Sequence, residues 1–228
     1  MRSLSKFRGG KPAAGAKPTA GPTRPANTGD ASIYQLRITL RDTEPPIWRR
    51  VLVAGGATMN ALHRVIQIVM GWEDYHLHSF KIGKKEYGSS EGSFAVDAMF
   101  SFMRRRPSGQ DDSTVKLGEV LTREGQQFLY VYDFGDNWEV DITVEKILPP
   151  DSKVRTPVCL AGERASPPED SGGVFGYQEL LEVLANPEDE EYEERLEWVG
   201  GRFDPEAFNL KKINQELRGT GRRVMRSP

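Results

Sequence analysis

The feature that most constrains the fold is a pair of β-prone segments on either side of a five-residue acidic connection. The first segment reads QFLYVY (127–132), the second reads WEVDITVEKI (138–147), and DFGDN joins them. Both segments are rich in β-branched and aromatic residues, and the connection contains the turn formers Gly135 and Asn137. Two such runs with a short connection predict a β-hairpin that carries two aspartates in its turn.

Three earlier segments of the chain also carry the pattern of β-strands. SIYQLRITLR (32–41) alternates apolar and polar residues, which predicts a strand with one buried face, and IWRRVLV (47–53) predicts a second strand. HLHSFKIG (76–83) alternates as well, and this pattern places His76 and His78 on the same face of a third strand.

Helices are predicted in the middle of the chain and toward its end. Thr58 is a suitable N-cap for a run of apolar residues at helical spacing, and Gly71 fits the position that ends such a helix. Residues 177–185 form a later helical segment, and the acidic run EDEEYEERLEW (188–198) predicts a helix whose aromatic and leucine side chains face the core. A last helix is predicted after the Asp-Pro pair at 204–205, because that pair favours a helix start.

The order of these elements indicates an α+β fold, with a mixed, mostly antiparallel sheet, packed helices and a helical C-terminal part. Residues 88–113 and 151–173 are predicted to be mainly loops. The single domain is predicted over 31–217, between a basic Gly/Ala/Pro-rich tail at 1–30 and a basic tail at 218–228.

The charges are distributed unevenly along the chain. Residues 1–29 carry six basic residues and no acidic one, and 218–228 carry four arginines and no acidic residue. These ten basic residues leave 21 of the chain's 31 for the remainder, against all 33 acidic residues. We therefore expect an acidic folded body with disordered basic tails that could contact nucleic acid, although tails that only keep the protein soluble are the simpler account.

The sequence favours a cytoplasmic location. It has no apolar run long enough to span a membrane, and its N-terminus lacks the apolar core of a secretory signal. The single cysteine, Cys159, excludes an internal disulfide, and its simplest role is that of a small apolar packing residue.

Two histidines and two aspartates form the candidate metal site. If His76 and His78 project from one face of a strand, they form a rigid pair of imidazoles, and histidine is a common metal ligand. Asp133 and Asp136 of the hairpin turn are carboxylates that would complete a divalent-metal site with them. The structural alternative is that both histidines line a partly buried sheet face and are satisfied by hydrogen bonds.

The segment CLAGERASPPEDSGGVFGY (159–177) adds two carboxylates, Glu169 and Asp170, just before a helix start. Carboxylates at that place suit a cation or a helix cap better than an anion. A structural alternative is that Phe175 and Tyr177 pack this loop against the sheet. If the loop motifs converge in three dimensions, the candidate ligand-binding groove consists of Trp72, Asp133, Asp136, Trp138, Glu169 and Asp170.

Four motifs in order resemble the plasmid pRiA4b open-reading-frame-three family, which is also described as the TnpR-type passenger protein of insertion elements. The motifs are PPIWRRV (45–51), MGWEDYHLHSF (70–80), YDFGDNWEV (132–140) and the Gly- and Pro-rich segment 159–177. The resemblance covers about residues 31–217. It implies an α+β domain with a mixed sheet, a cytoplasmic protein and an association with plasmids and mobile elements, but no reaction and no catalytic residues.

Three functional hypotheses follow. The first is a binding or regulatory module linked to mobile DNA, supported by the basic tails and by Trp72, Tyr75 and Trp138, which we expect to be exposed in loops. The second is a metal-dependent, phosphoesterase-like hydrolase in which Glu169 or Asp170 acts as general base on metal-bound water. The third is a protein–protein interaction domain whose motifs shape a groove. The sequence favours the first and leaves open whether the chain is an enzyme.

Overall fold

A computed structural model of the chain describes residues 31–88, 109–154 and 156–224. The predicted N-terminal tail, the arginine run Arg104 to Arg106 and the last four residues lie outside the described residues. None of the described helices is both long and apolar enough to cross a membrane.

In the part of the chain that the structure describes, eight β-strands form one sheet at the centre of the molecule. The strands are β1 (Ile33–Leu40), β2 (Trp48–Ala54), β3 (His78–Ile82), β4 (Lys85–Gly88), β5 (Gln110–Asp111), β6 (Gln127–Tyr132), β7 (Trp138–Leu148) and β8 (Val158–Glu163). Their spatial order is β5-β4-β3-β6-β7-β1-β2-β8. Only the short β4–β5 pair is parallel, so the predicted mixed, mostly antiparallel sheet is confirmed.

Five helices are described beside the sheet, which completes the predicted α+β class. They are α1 (Met59–Met70), α2 (Leu117–Val120), α3 (Gly173–Leu184), α4 (Tyr192–Trp198) and α5 (Leu210–Val224). Both predicted ends of α1 are confirmed, since the Ala61 amide donates to Thr58 Oγ1 at 3.1 Å and Gly71 adopts a left-handed φ of 73°.

The central hairpin forms as the sequence predicts. β6 and β7 pair antiparallel from Gln127↔Thr143 to Tyr132↔Trp138, so residues 133–137 close the hairpin. The alternating residues of β1 and β7 bury one face of each strand against the apolar side of α1. This packing forms the core, which continues to the β6–β7 turn through the buried Tyr132 and Trp138.

The segment 151–173 is not entirely loop. Val158–Glu163 forms β8, which pairs antiparallel with β2 at the edge of the sheet. The pairing of β2 with β8 shifts register between Arg50 and Val51, which marks an irregularity such as a β-bulge. Such an irregularity weakens the period-2 pattern by which the sequence would reveal β8. The loop that carries Glu169 and Asp170 therefore starts from a fixed sheet edge.

The C-terminal helices differ from the prediction in two respects. α4 has no buried residue, and Trp198 is 47% exposed, because the short helix lies on the surface and not in the core. Asp204 caps a turn, accepting from the Glu206 amide at 3.0 Å, and the helix begins later, at Leu210. α5 ends at Val224.

Candidate metal centre

Three loops meet at the end of the sheet where β3 begins and β6 ends. They are the α1–β3 loop (71–77), the β6–β7 turn (133–137) and the β8–α3 loop (164–172). Because β3 and β6 are paired, with His78 opposite Tyr132, the first two loops leave the sheet side by side.

Hydrogen bonds join the β8–α3 loop to the other two loops. The Trp72 indole donates to the Pro167 carbonyl at 3.1 Å, and the Gly172 amide donates to Asp136 Oδ2 at 3.0 Å. A Cβ added at Gly173 would lie 2.5 Å from the Asp136 carbonyl oxygen, so only glycine allows α3 to start this close to the turn. Asp136 is thus a structural acceptor in the loop contact.

One histidine and three carboxylates converge between these loops. His76 Nε2 lies 3.0 Å from Asp170 Oδ1, 3.7 Å from Asp133 Oδ2 and 3.9 Å from Glu169 Oε2. His76, Asp133 and Asp170 each offer one ligand atom, and these three atoms lie within 4.8 Å of one another. The cluster brings together candidates from three separate sequence motifs.

Two buried polar atoms of this cluster have no hydrogen-bond partner among the described residues. They are His76 Nε2 and Glu169 Oε2. A buried polar group without a partner costs about 1–3 kcal/mol, so these two atoms are an unfavourable feature of the cluster by itself.

Asp133 divides its two carboxylate oxygens between the turn and the cluster. Oδ1 accepts from the Gly135 amide at 2.9 Å, which leaves Oδ2 to face His76. The positive φ angles of the turn fall at Asp133 (51°) and Asn137 (57°) and not at Gly135. Asp170 also has a positive φ, 56°, so two of the three closest ligand candidates occupy a conformation that non-glycine residues rarely adopt.

Glu169 is oriented in the same divided manner. Its Oε1 accepts from the Tyr132 hydroxyl at 2.9 Å and from the Glu73 amide at 2.7 Å, which leaves Oε2 for the cluster. Burial, followed by the hydrogen bond to Glu169, raises the pKa of Tyr132, so the phenol stays protonated and donates.

A ring of four hydrogen-bonded side chains fixes the α1–β3 loop. Gln67 donates to the Tyr130 hydroxyl at 3.0 Å, and that oxygen lies 2.8 Å from His63 Nδ1. His63 Nε2 lies 2.7 Å from Asp74 Oδ1, and the Asp74 amide donates to Gln67 Oε1 at 3.0 Å. Burial lowers the pKa of His63, so the imidazole is neutral, with Nδ1 accepting from Tyr130 and Nε2–H donating to Asp74.

His78 does not belong to the cluster, and the expected pair of histidines on one strand face is wrong. β3 begins only at His78, so the alternation of a strand does not extend back to His76. His78 is buried, its Nε2 lies 2.7 Å from Asp112 Oδ2, and its ring stacks on His63 at 3.5 Å. His78 therefore follows the structural alternative, with Asp112 as a partner that no sequence pattern indicated.

The two tryptophans of the candidate groove are buried behind the cluster, so the expectation that loops expose them is wrong. Trp72 stacks on Tyr132 with 5.0 Å between ring centroids and lies 6.1 Å from Trp138. Tyr75, by contrast, is exposed as expected. Phe175 is also exposed, so of the two aromatic residues expected to pack the Gly-rich segment, Tyr177 is the buried one.

Cys159 is a buried packing residue of β8. Its amide donates to Asn214 Oδ1 at 2.9 Å, which ties β8 to α5, and burial raises the pKa of its thiol. A protonated, buried thiol is a poor nucleophile, which agrees with the packing role that the sequence favours.

Comparison with known proteins identifies relatives over most of the chain. The model of the plasmid pRiA4b ORF-3-like protein family matches residues 32–212. The uncharacterised protein y4hQ of Sinorhizobium fredii is 36% identical over 191 residues, which are 82% of this chain and 91% of that protein.

A solved relative has the same fold. The crystal structure of MM3350, a protein of unknown function from Methanosarcina mazei, is 41% identical, covers 79% of this chain and 96% of that chain, and superposes with a TM-score of 0.68. With the family model matching most of the chain, the protein belongs to the plasmid pRiA4b ORF-3-like family.

Proposed function

We propose that this domain binds a divalent transition-metal ion between His76, Asp133 and Asp170, with Glu169 as a fourth ligand. The observation that carries the proposal is that one ligand atom from each of His76, Asp133 and Asp170 lies within 4.8 Å of the other two, beside His76 Nε2 and Glu169 Oε2, which are buried and have no hydrogen-bond partner among the described residues.

The donor set indicates the class of ion. One imidazole nitrogen with carboxylate oxygens suits zinc, manganese or ferrous iron, whereas magnesium and calcium prefer sites made of oxygen alone. Ligands at about 2.1 Å from such an ion lie about 3.0–3.4 Å apart in octahedral or tetrahedral geometry. The distances of 3.0, 3.7 and 3.9 Å from His76 Nε2 are close to that range.

Charge supports the same conclusion. Asp133, Glu169 and Asp170 place three carboxylates around one imidazole, and carboxylates this close repel each other when all are ionised. A divalent cation removes that repulsion and replaces the missing hydrogen bonds.

Metal titration of the purified full-length chain tests the proposal. Calorimetry and thermal unfolding after chelator treatment should show saturable binding of zinc or manganese and a rise in Tm. Asp133→Asn keeps the acceptor for the turn but removes charge, and it should weaken binding more than about tenfold. Glu193→Gln on the exposed acidic helix α4 is the matched control and should bind as the unmodified chain does. Equal affinity in Asp133→Asn and the unmodified chain would refute the site.

A second candidate function is metal-dependent hydrolysis, and the exposure of Asp170 favours it. The side chain of Asp170 is 66% exposed, so one side of the cluster opens to solvent and an ion there could keep a bound water. Activity toward chromogenic esters, amides and phosphoesters should then require added metal and be lost in Asp133→Asn. Metal-independent turnover, or turnover that Asp133→Asn retains, would contradict this function.

A further inference from the structure

Three exposed aromatic side chains lie in or next to the three loops of the candidate metal centre. Tyr75 is 70% exposed and precedes His76, Phe134 is 42% exposed and follows Asp133, and Phe175 is 88% exposed in the first turn of α3. Large aromatic rings in water are unfavourable by themselves, so a group of them at one place indicates a binding surface.

The contacts between the loops bring the backbone segments that carry these aromatic residues together. The Tyr75 amide donates to the Tyr132 hydroxyl at 3.1 Å, directly before the turn that carries Phe134. Phe175 lies two residues after Gly173, whose backbone packs on the Asp136 carbonyl of the same turn. We name Tyr75, Phe134 and Phe175 the aromatic rim.

The charge inside the aromatic rim is strongly negative. Apart from Arg164 at its first position, the three loops as described contain no lysine or arginine, and they contain six carboxylates, those of Glu73, Asp74, Asp133, Asp136, Glu169 and Asp170. Arg164 is directed away from the rim, since its guanidinium pairs with Glu206 at 2.9 Å. A divalent ion in the cluster would leave an excess of negative charge, so phosphate groups and nucleic acid are repelled from this face.

The buried carboxylate of Asp133 within the rim lies beside the His76 imidazole, and no described lysine or arginine pairs with it. Asp133 is 8% exposed, and its Oδ2 faces His76 Nε2 at 3.7 Å, which is too far for a hydrogen bond. Among the described residues, no lysine or arginine forms an ion pair with Asp133, Glu169 or Asp170. The negative charge of this face is therefore not neutralised by the basic side chains that the structure describes.

We propose that the aromatic rim and the carboxylates inside it bind a basic peptide segment of a partner protein. Arginine and lysine side chains match both features, because their alkyl stems and cationic heads pack on aromatic rings while the heads pair with carboxylates. A peptide with successive charges can contact three rings and several separate carboxylates at once, which one small cation cannot do.

The test uses the full-length chain and a short synthetic peptide that alternates arginine and alanine. Its matched control replaces each arginine by citrulline, which keeps the shape and removes the charge. Fluorescence anisotropy, in chelator and again with zinc, should show binding of the arginine peptide and none of the citrulline peptide. Binding is expected in both conditions, so failure of the metal titration does not affect this result.

Variants then locate the peptide. The double variant Phe134→Ala/Phe175→Ala should weaken binding at least about tenfold, since two of the three rings that contact the cationic side chains are lost. Both side chains are exposed, so the unfolding midpoint should stay unchanged. Glu193→Gln/Trp198→Ala alters the other acidic surface with an exposed aromatic residue and should bind normally. Equal binding of the citrulline peptide, no binding at all, or a loss only in the α4 variant would overturn the proposal.

Discussion

At the residue scale, single carboxylates of this protein serve structure with one oxygen and the candidate site with the other. Asp133 holds its turn through Oδ1 and faces His76 through Oδ2, and Glu169 divides its oxygens between Tyr132 and the cluster. This division fixes each side chain without using up its capacity to bind an ion.

Replacing Glu169 by glutamine should raise the stability of the metal-free chain and weaken metal binding. The new side chain would keep an acceptor for Tyr132 and remove one of the three negative charges around His76, which lowers the repulsion among them. We expect a gain on the order of 1 kcal/mol in the free energy of unfolding, as is common when a site for function is neutralised. Urea unfolding in chelator measures it, with Glu193→Gln as the control. A lower stability of the Glu169→Gln chain would contradict the assigned repulsion.

The buried imidazole of His63 predicts that the free energy of unfolding decreases in acid. Because the folded-state pKa of His63 lies below its ordinary value of 6.5, the unfolded chain takes up a proton in that range more readily than the folded chain. Stability should therefore fall as the pH drops below 6.5, by at most about 1.4 kcal/mol per pH unit from this group. Asp74, whose pKa is lowered by its hydrogen bond to His63, adds a further loss at lower pH.

The check is urea unfolding across this pH range with His63→Gln beside the unmodified chain. Glutamine can still donate to Asp74 and accept from Tyr130, but it does not titrate. A His63→Gln chain with the same pH slope would show that other groups cause the acid loss.

At the element scale, Arg49 of β2 connects the sheet, α1 and the β8–α3 loop. Its guanidinium is buried and donates to the carbonyls of Val69, Glu163 and Arg164 and to Ser166 Oγ, all between 2.7 and 3.0 Å. Burial lowers the pKa of Arg49 to about 10. The residues that follow Ser166 include Glu169 and Asp170, so this contact sets where their loop begins.

Arg49→Lys should destabilise the fold strongly, although it preserves the charge. One ammonium cannot replace the planar set of donors, and several buried carbonyls would lose their partner, so we expect a loss of about 2–4 kcal/mol. Arg50→Lys is the matched control, because Arg50 pairs with Glu145 on the partly exposed face and should lose about 1 kcal/mol or less. Urea unfolding distinguishes them. Similar losses in the two variants would show that Arg49 does not connect the elements as argued.

At the scale of the whole molecule, the basic ends of the chain and its acidic site favour partners of opposite charge. The ten basic residues at 1–29 and 218–228 could attract nucleic acid, while the carboxylates of the three loops repel it. If the protein acts on mobile DNA, we therefore expect the DNA contact at the termini and a cationic group at the site.

Any DNA affinity should consequently depend on the termini and on salt. We propose to replace the six basic residues of 1–29 and Arg222, Arg223 and Arg226 by glutamine, which avoids truncating α5. Electrophoretic mobility shifts should show binding that weakens steeply between low and physiological salt and disappears in this variant. Salt-independent binding, or binding that the variant retains, would exclude contact through the termini.

The sequence by itself determined the features that depend on neighbouring residues. Alternation predicted β1, and β-prone residues around a short connection predicted β6 and β7. The cap at Thr58 and the glycine at 71 bounded α1, and four motifs indicated the family. These signals hold because strand pairing, capping and turn formation are set by residues a few positions apart.

Only the tertiary structure decided which side chains share the site. The sequence paired His76 with His78, but β3 starts only at His78, and each histidine lies beside a carboxylate from a distant part of the chain, Asp112 for His78 and Asp170 for His76. Burial likewise placed Trp72 and Trp138 behind the cluster. Such partners are chosen by the packing of loops that lie far apart in sequence, and no local periodicity records that choice.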